Sequence, residues 1–193
     1  MAPLAKRTAG ATGGLLDGLP VIVGGDVHRK IHSIAKDQSK FLGQLTVARW
    51  KAASVVLSNN TLWVTGGLDQ SHNTLKTTEY VTKEGKTSKG PDLPLALRSH
   101  AIVALNRGVF ILIGGCSDGD LWSAATYFYE EKKGWRPGPN LKHGSDCHTA
   151  GVLTDRVSTK QYIVAAGGLG AKNSVEYLEY PGSNEWMKGK PSH

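Results

Sequence analysis

Cysteine is nearly absent from this chain, which has two in 193 residues, Cys116 and Cys147. Two thiols cannot build the disulfide framework of a small secreted module, so a reducing, cytoplasmic setting is expected. Long apolar runs are also lacking. Leu15 to Val23 is interrupted by Asp17 and Pro20 and falls well short of the roughly 20 residues that cross a bilayer. The start at Lys6-Arg7 leads into no signal-peptide core, so no membrane partner is expected. Catalytic signatures are missing as well. No Gly-x-Ser-x-Gly elbow, phosphate loop or zinc-type Cys/His spacing occurs. Cys147-His148 are neighbours, but adjacent residues on a strand point to opposite faces and cannot form a dyad. Asp118-Gly119-Asp120 has the look of a metal loop and is read as a turn. No catalytic residue, metal ligand or cofactor is expected, and the chain is read as not an enzyme.

Charge is unbalanced but unclustered. Twenty-three Lys and Arg against 16 Asp and Glu give a formal charge of +7, which favours acidic partners. The longest basic runs are pairs such as Lys6-Arg7, Arg29-Lys30 and Lys132-Lys133. That scatter carries no nucleic-acid signature, so no nucleic-acid partner is expected.

Glycine, by contrast, is abundant, with 24 residues, and its placement organises the sequence. Four doublets, Gly24-Gly25, Gly66-Gly67, Gly114-Gly115 and Gly167-Gly168, recur at spacings of 42, 48 and 53 residues. Each closes a run of strand formers: Leu-Pro-Val-Ile-Val, Thr-Leu-Trp-Val-Thr, Val-Phe-Ile-Leu-Ile and Tyr-Ile-Val-Ala-Ala. Self-similarity at this period marks an array of one structural unit. In the third copy, Ala101 to Leu105 and Val109 to Ile113 flank Asn106-Arg107-Gly108, which reads as a β-hairpin. The second copy pairs Ala52 to Leu57 with Thr61 to Thr65, and the fourth pairs Val152-Leu153 with Gln161 to Ala166. The first copy is blurred, with Asp17-Gly18 before Leu19 to Val23, and Gly13-Gly14 lies out of phase. Third strands are expected at Lys30 to Ile34, Thr77 to Val81, Ala124 to Tyr129 and Ser174 to Leu178. Fourth strands are expected at Phe41-Leu42, Lys86 to Ser88, Gly134-Trp135 and Glu185-Trp186. Pro-rich segments such as Gly90 to Pro94 and Pro137 to Leu141 connect the copies, as suits a residue that cannot donate to a sheet ladder.

Doublet glycines, an aromatic in the third strand and a tryptophan in the fourth resemble the kelch repeat. The landmarks are Gly114-Gly115, Tyr127 or Tyr129 and Trp135, then Gly167-Gly168, Tyr177 and Trp186. The second copy lacks the tryptophan, and the first offers only Phe41. The resemblance implies an all-β, kelch-type β-propeller of about four four-stranded antiparallel blades, approximately 7–48, 49–97, 98–146 and 147–193, in a single array over 1–193. Kelch propellers usually have about six blades, so a truncated or short form, with an incomplete ring, is the expected reading. Such an arc would self-associate through its open blade edges.

The resemblance further implies a protein-interaction module that holds a peptide or protein on one propeller face. Kelch relatives often act as substrate receptors of cullin-based ubiquitin ligases, joined to a BTB domain; no helical segment that could supply one occurs in these 193 residues. Cullin-ligase components and actin are therefore the partner classes the family suggests. An oxidase or sugar epimerase on the same scaffold is the alternative. In kelch proteins the loops after the second strand share the binding face with the links between blades. The matching positions are Arg7, Arg49, Arg98 and Ser99 at blade entries, Trp50 and His100 beside them, and Asp26, His28, Asp69, Gln70, Ser117 and Asp118 after the doublets. An arginine fork can hold a carboxylate bidentately, and Trp50 could supply the apolar anchor. The competing reading has the entry arginines capping neighbouring carbonyls or pairing with Asp69 and Asp118.

Overall fold

The computed structural model of the chain describes residues 8–26, 28–35, 38–105, 108–171 and 173–189. The chain divides into two compact units, Met1–Arg98 and Ser99–His193. Each holds two four-stranded antiparallel sheets in which the strands follow sequence order.

In the first unit, β1 (Thr12–Leu16), β2 (Leu19–Val23), β3 (Lys30–Ala35) and β4 (Gln38–Gln44) form one blade. β5 (Ala53–Val56), β6 (Leu62–Thr65), β7 (Thr78–Val81) and β8 (Thr87–Lys89) form the next. Asp17 and Gly18, at φ 49° and 75°, close the β1–β2 hairpin between the paired residues Leu16 and Leu19. Two consecutive positive φ values match the twist of the flanking strands. The core lies between the two sheets. Leu16, Val21, Val23 and Ile31 of the first blade pack with Leu62, Val64 and Val81 of the second.

The second unit repeats the arrangement. β9 (Ala101–Ala104), β10 (Val109–Ile113), β11 (Thr126–Glu130) and β12 (Gly134–Pro137) make its first blade. β13 (Thr149–Thr154), β14 (Gln161–Ala166), β15 (Val175–Tyr180) and β16 (Met187–Lys188) make its second. Val109, Ile111, Ile113 and Phe128 pack with Ile163, Ala165, Leu178 and Trp186. Trp186 is fully buried, and its indole N–H donates to the Pro139 carbonyl at 2.9 Å, which ties the fourth blade to the link that precedes it.

All eight doublet glycines have positive φ, between 55° and 100°, a region closed to most other residues. The first glycine of each doublet donates its N–H to the carbonyl at the start of the third strand: Lys30, Thr77, Ala125 or Ser174. The N–H of the second glycine reaches the link that follows its blade: Gly25 to Arg49, Gly67 to Leu97 and Gly115 to Ser145. The first three doublets therefore stitch their blades to the link that leads onward.

Several strand boundaries differ from those expected. The out-of-phase Gly13-Gly14 belongs to β1. A Cβ on Gly14 would lie 2.6 Å from Val56 Cγ2 and 2.9 Å from Leu62 Cδ1, so the second blade packs where a side chain would stand. β4 runs over seven residues, well beyond Phe41-Leu42, and β13 starts earlier than Val152. β16 begins after Trp186, whose side chain is drawn into the core.

Candidate functional site

The bonds made by the second glycines fix the register of the blade entries. They make Arg49, Leu97 and Ser145 equivalent. Lys51, Ser99 and Cys147, two residues further on, all have φ between 51° and 54°. The expected equivalence of Arg49 with Arg98 is therefore corrected by one residue, and Arg98 matches Trp50. Arg7 lies outside the described residues.

Arg49 does not offer its charge to a partner. It is 1% exposed and forms an ion pair with Glu79 of β7 at 2.9 Å. Its guanidinium also donates to the Gly66 and Thr77 carbonyls, both at 2.8 Å, and to the Thr77 hydroxyl at 3.3 Å. Burial lowers the Arg49 pKa from its usual value, and Glu79 offsets part of that. The remaining capacity of Glu79 is taken by the backbone N–H groups of Thr46 and Val47, at 2.7 and 3.2 Å. This is the capping role set out above as the competitor to partner binding. A buried carboxylate so fully bonded organises the link 45–49 from beneath.

The second unit solves the same problem differently. Glu176 of β15 accepts from the Lys142 N–H at 2.7 Å and lies 3.1 Å from His143 Nδ1. Ser145, at the Arg49 position, donates to the Gly167 carbonyl at 3.1 Å. A cavity of about 10 Å³, room for roughly one water, borders Ser145, Gly167, Ser174 and Glu176.

Beside the link whose N–H groups Glu79 accepts, the first unit carries an open cleft of about 430 Å³. It is lined by Arg29, by the link residues Thr46, Val47 and Ala48, and by Asp69, Gln70 and Ser71 from the loop after the second doublet. Arg29 is exposed, and its guanidinium makes a long 3.5 Å hydrogen bond to the Thr46 carbonyl. Asp69 is held by its own loop. Its carboxylate accepts the N–H groups of Ser71 and Asn73 and the Asn73 side-chain amide, at 2.8, 2.9 and 3.0 Å. Burial of Asp69 would raise its pKa, but the hydrogen bonds from Asn73 and Ser71 outweigh it and the pKa is lowered. Gln70 is exposed at the rim.

The other expected site residues are scattered. Trp50 is half-buried, edge-on to His72 at 5.6 Å between centroids, with Lys51 Nζ 5.0 Å from its ring. Arg98 is half-buried and donates to the Thr74 hydroxyl at 3.3 Å. Asp26 and His28 follow the first doublet; their N–H groups bond the Ala9 and Gly25 carbonyls at 2.7 and 3.1 Å. Ser99 accepts the Cys147 N–H at 3.0 Å through its carbonyl. His100 is 6% exposed, and burial, aided by the neighbouring His148, pushes its pKa down to about 3. A ring so deep in the second unit is out of reach of a partner. Burial also lowers the pKa of His148, which faces the Ser145 and Ile113 carbonyls. Cys147 is exposed and Cys116 buried. Ser117 is half-buried and Asp118 exposed, Asp118 opening a short 3-10 turn over Asp118–Asp120. Among the described residues no three His, Cys, Asp or Glu side chains gather as metal ligands.

Four features escaped sequence reasoning. Arg29 counted only as one of a basic pair. Glu79 and Glu176 were signalled by a carboxylate inside otherwise strand-forming runs, Thr-Glu-Tyr-Val and Val-Glu-Tyr-Leu. Leu121, Trp122 and Leu169 are 68%, 50% and 58% exposed on the doublet loops of the second unit. Trp122 belongs to no strand, and nothing in the spacing of the repeat marks it.

No protein-family model matches the chain, and no curated protein matches it. Among solved structures, the one described as "Structure of YjhT" is similar over 98% of this chain and 68% of that one, with a TM-score of 0.74 and 15% sequence identity. At that identity the likeness concerns the fold, and it agrees with what the strands show: an all-β chain of four four-stranded antiparallel blades, of the β-propeller class.

Proposed function

We propose that this chain is a kelch-type interaction module that holds an acidic peptide or protein on its doublet-loop face. The observation that supports this reading is the 430 Å³ cleft of the first unit, with Arg29 exposed on its wall. A guanidinium has five N–H donors, and one long bond to Thr46 leaves most of the fork for a carboxylate. The buried Arg49–Glu79 pair fixes the link that forms one wall. The formal charge of +7 draws acidic partners toward the chain at long range. Substrate recognition for a ubiquitin ligase is the finer form of the proposal.

The test is selection from a random peptide library, followed by affinity measurement on the enriched sequences. Acidic peptides should emerge, and Arg29→Glu should weaken them at least about tenfold, as expected when a like charge replaces a paired one. Enrichment of neutral or basic peptides, or indifference to Arg29→Glu, would overturn the assignment of this cleft.

A further inference from the structure

Blade packing in this chain has a direction. In the first unit, the face of β2 that carries Val21 and Val23 packs on the β6 face that carries Leu62 and Val64. In the second unit, Val109, Ile111 and Ile113 of β10 pack on Ile163 and Ala165 of β14. Counted from the doublets, Val21 and Val23 occupy the same positions as Ile111 and Ile113, and Val64 the same as Ala165. One kind of face thus packs onto the opposite kind on the next blade, in both units.

Each kind of face also occurs uncovered. On the fourth blade, the positions equivalent to Val109, Ile111 and Phe128 are Tyr162, Val164 and Tyr177. They share a face with Leu153, Val175 and Met187, which are 64%, 41% and 38% exposed. The complementary face of the first blade shows Leu15 at 61% and Phe41 at 51% exposure, beside Ile22 and His32. The fourth-blade face also carries Glu179, opposite Tyr162 and paired with Lys160 at 2.6 Å; exposed faces so rich in apolar side chains mark interfaces.

We infer that these faces join two copies of this chain, the fourth blade of one packing on the first blade of the other. The occupant follows from the chain itself, which forms this pairing of faces within each unit and exposes apolar side chains on the first blade's face of one kind and the fourth blade's face of the other. The contact is heterologous, so it joins copies head to tail, into a ring where the rotation closes and into a longer chain where it does not. It goes beyond peptide binding, since neither face includes the Arg29 cleft. Each copy carries +7, so salt that screens the repulsion should strengthen association rather than weaken it.

Sedimentation velocity on the intact chain decides the matter. The wild type should show species heavier than the 20.6 kDa monomer at about 100 µM, increasing with concentration and with salt. Leu15→Lys/Phe41→Lys and Leu153→Lys/Val175→Lys should each sediment as monomers. Mixed together, the two variants should form a 1:1 dimer and nothing larger, because each retains the face that the other lost. A monomeric wild type, association unaffected by either variant, or a mixture that stays monomeric would each overturn the inference. The mixing arm excludes misfolding as the cause, since unfolded variants cannot restore a defined dimer.

Discussion

Arg49 and Arg98 look alike in sequence, each at the start of an apolar strand with an aromatic or imidazole close behind. A single residue of register separates their fates, because a one-residue slip turns a side chain from one side of the backbone to the other. Arg49 is turned inward to Glu79, while Arg98 stays half-buried against Thr74. Only the glycine hydrogen bonds reveal the slip, and they depend on tertiary structure. Arg49→Met would leave the Glu79 carboxylate buried without its cation and strip the Gly66 and Thr77 carbonyls of their donor. Removing one partner of a buried pair costs about 3–5 kcal/mol. Urea denaturation should show a loss of that order, whereas Arg29→Glu, at an exposed position, should leave stability within about 1 kcal/mol of wild type. His100 makes a second prediction. Its folded-state pKa is about 3 against an ordinary 6.5, so below pH 6.5 the unfolded chain binds a proton that the folded one refuses. The stability from neutral His100 is complete above about pH 6.5 and lost as the pH falls toward 3. Comparing denaturation at pH 7 and pH 4, His100→Gln should narrow the stability gap relative to wild type. An unchanged gap would mean that His100 is not held neutral by its burial.

The strands bounded by glycine were the most legible elements. β10 and β14 have the limits the sequence suggests, because a doublet ends each and a loop rich in turn formers opens it. β1 was the least legible. Its glycines weaken strand propensity, and it forms because pairing with β2 and packing by Val56 and Leu62 override that weakness. β16 was displaced because the tryptophan that signals it is the residue the core captures. The doublets themselves yield a graded prediction. A Cβ on Gly67, at φ 95°, would meet the Trp50 carbonyl oxygen at 2.8 Å and Ala52 Cβ at 3.0 Å. Gly18, at φ 75°, has nothing within 4 Å of its own Cβ position. Gly18→Ala should cost about 1 kcal/mol from backbone strain alone. Gly67→Ala adds overpacking against backbone and should cost about 3 kcal/mol or more by thermal or urea denaturation. Equal costs at the two positions would show that the doublets are chosen for φ alone.

For the chain as a whole, the repeat period carried the architecture, since four doublets foretold four blades and the strand order within each. The surface was less legible. A binding face depends on which loop side chains remain exposed once caps and turns have claimed the rest. Asp69 looked available and is held by its own loop, whereas Arg29 looked incidental and lines the cleft. Hydrogen exchange on the chain with an enriched acidic peptide bound is the most direct measurement of where a partner sits. Slower exchange should appear in residues 45–48 and 69–73, the two walls of the cleft, and fade in Arg29→Glu. Slower exchange confined to the hairpin loops, at Asp17-Gly18 and Asn59-Asn60, would place the partner on the opposite face and contradict the proposed site.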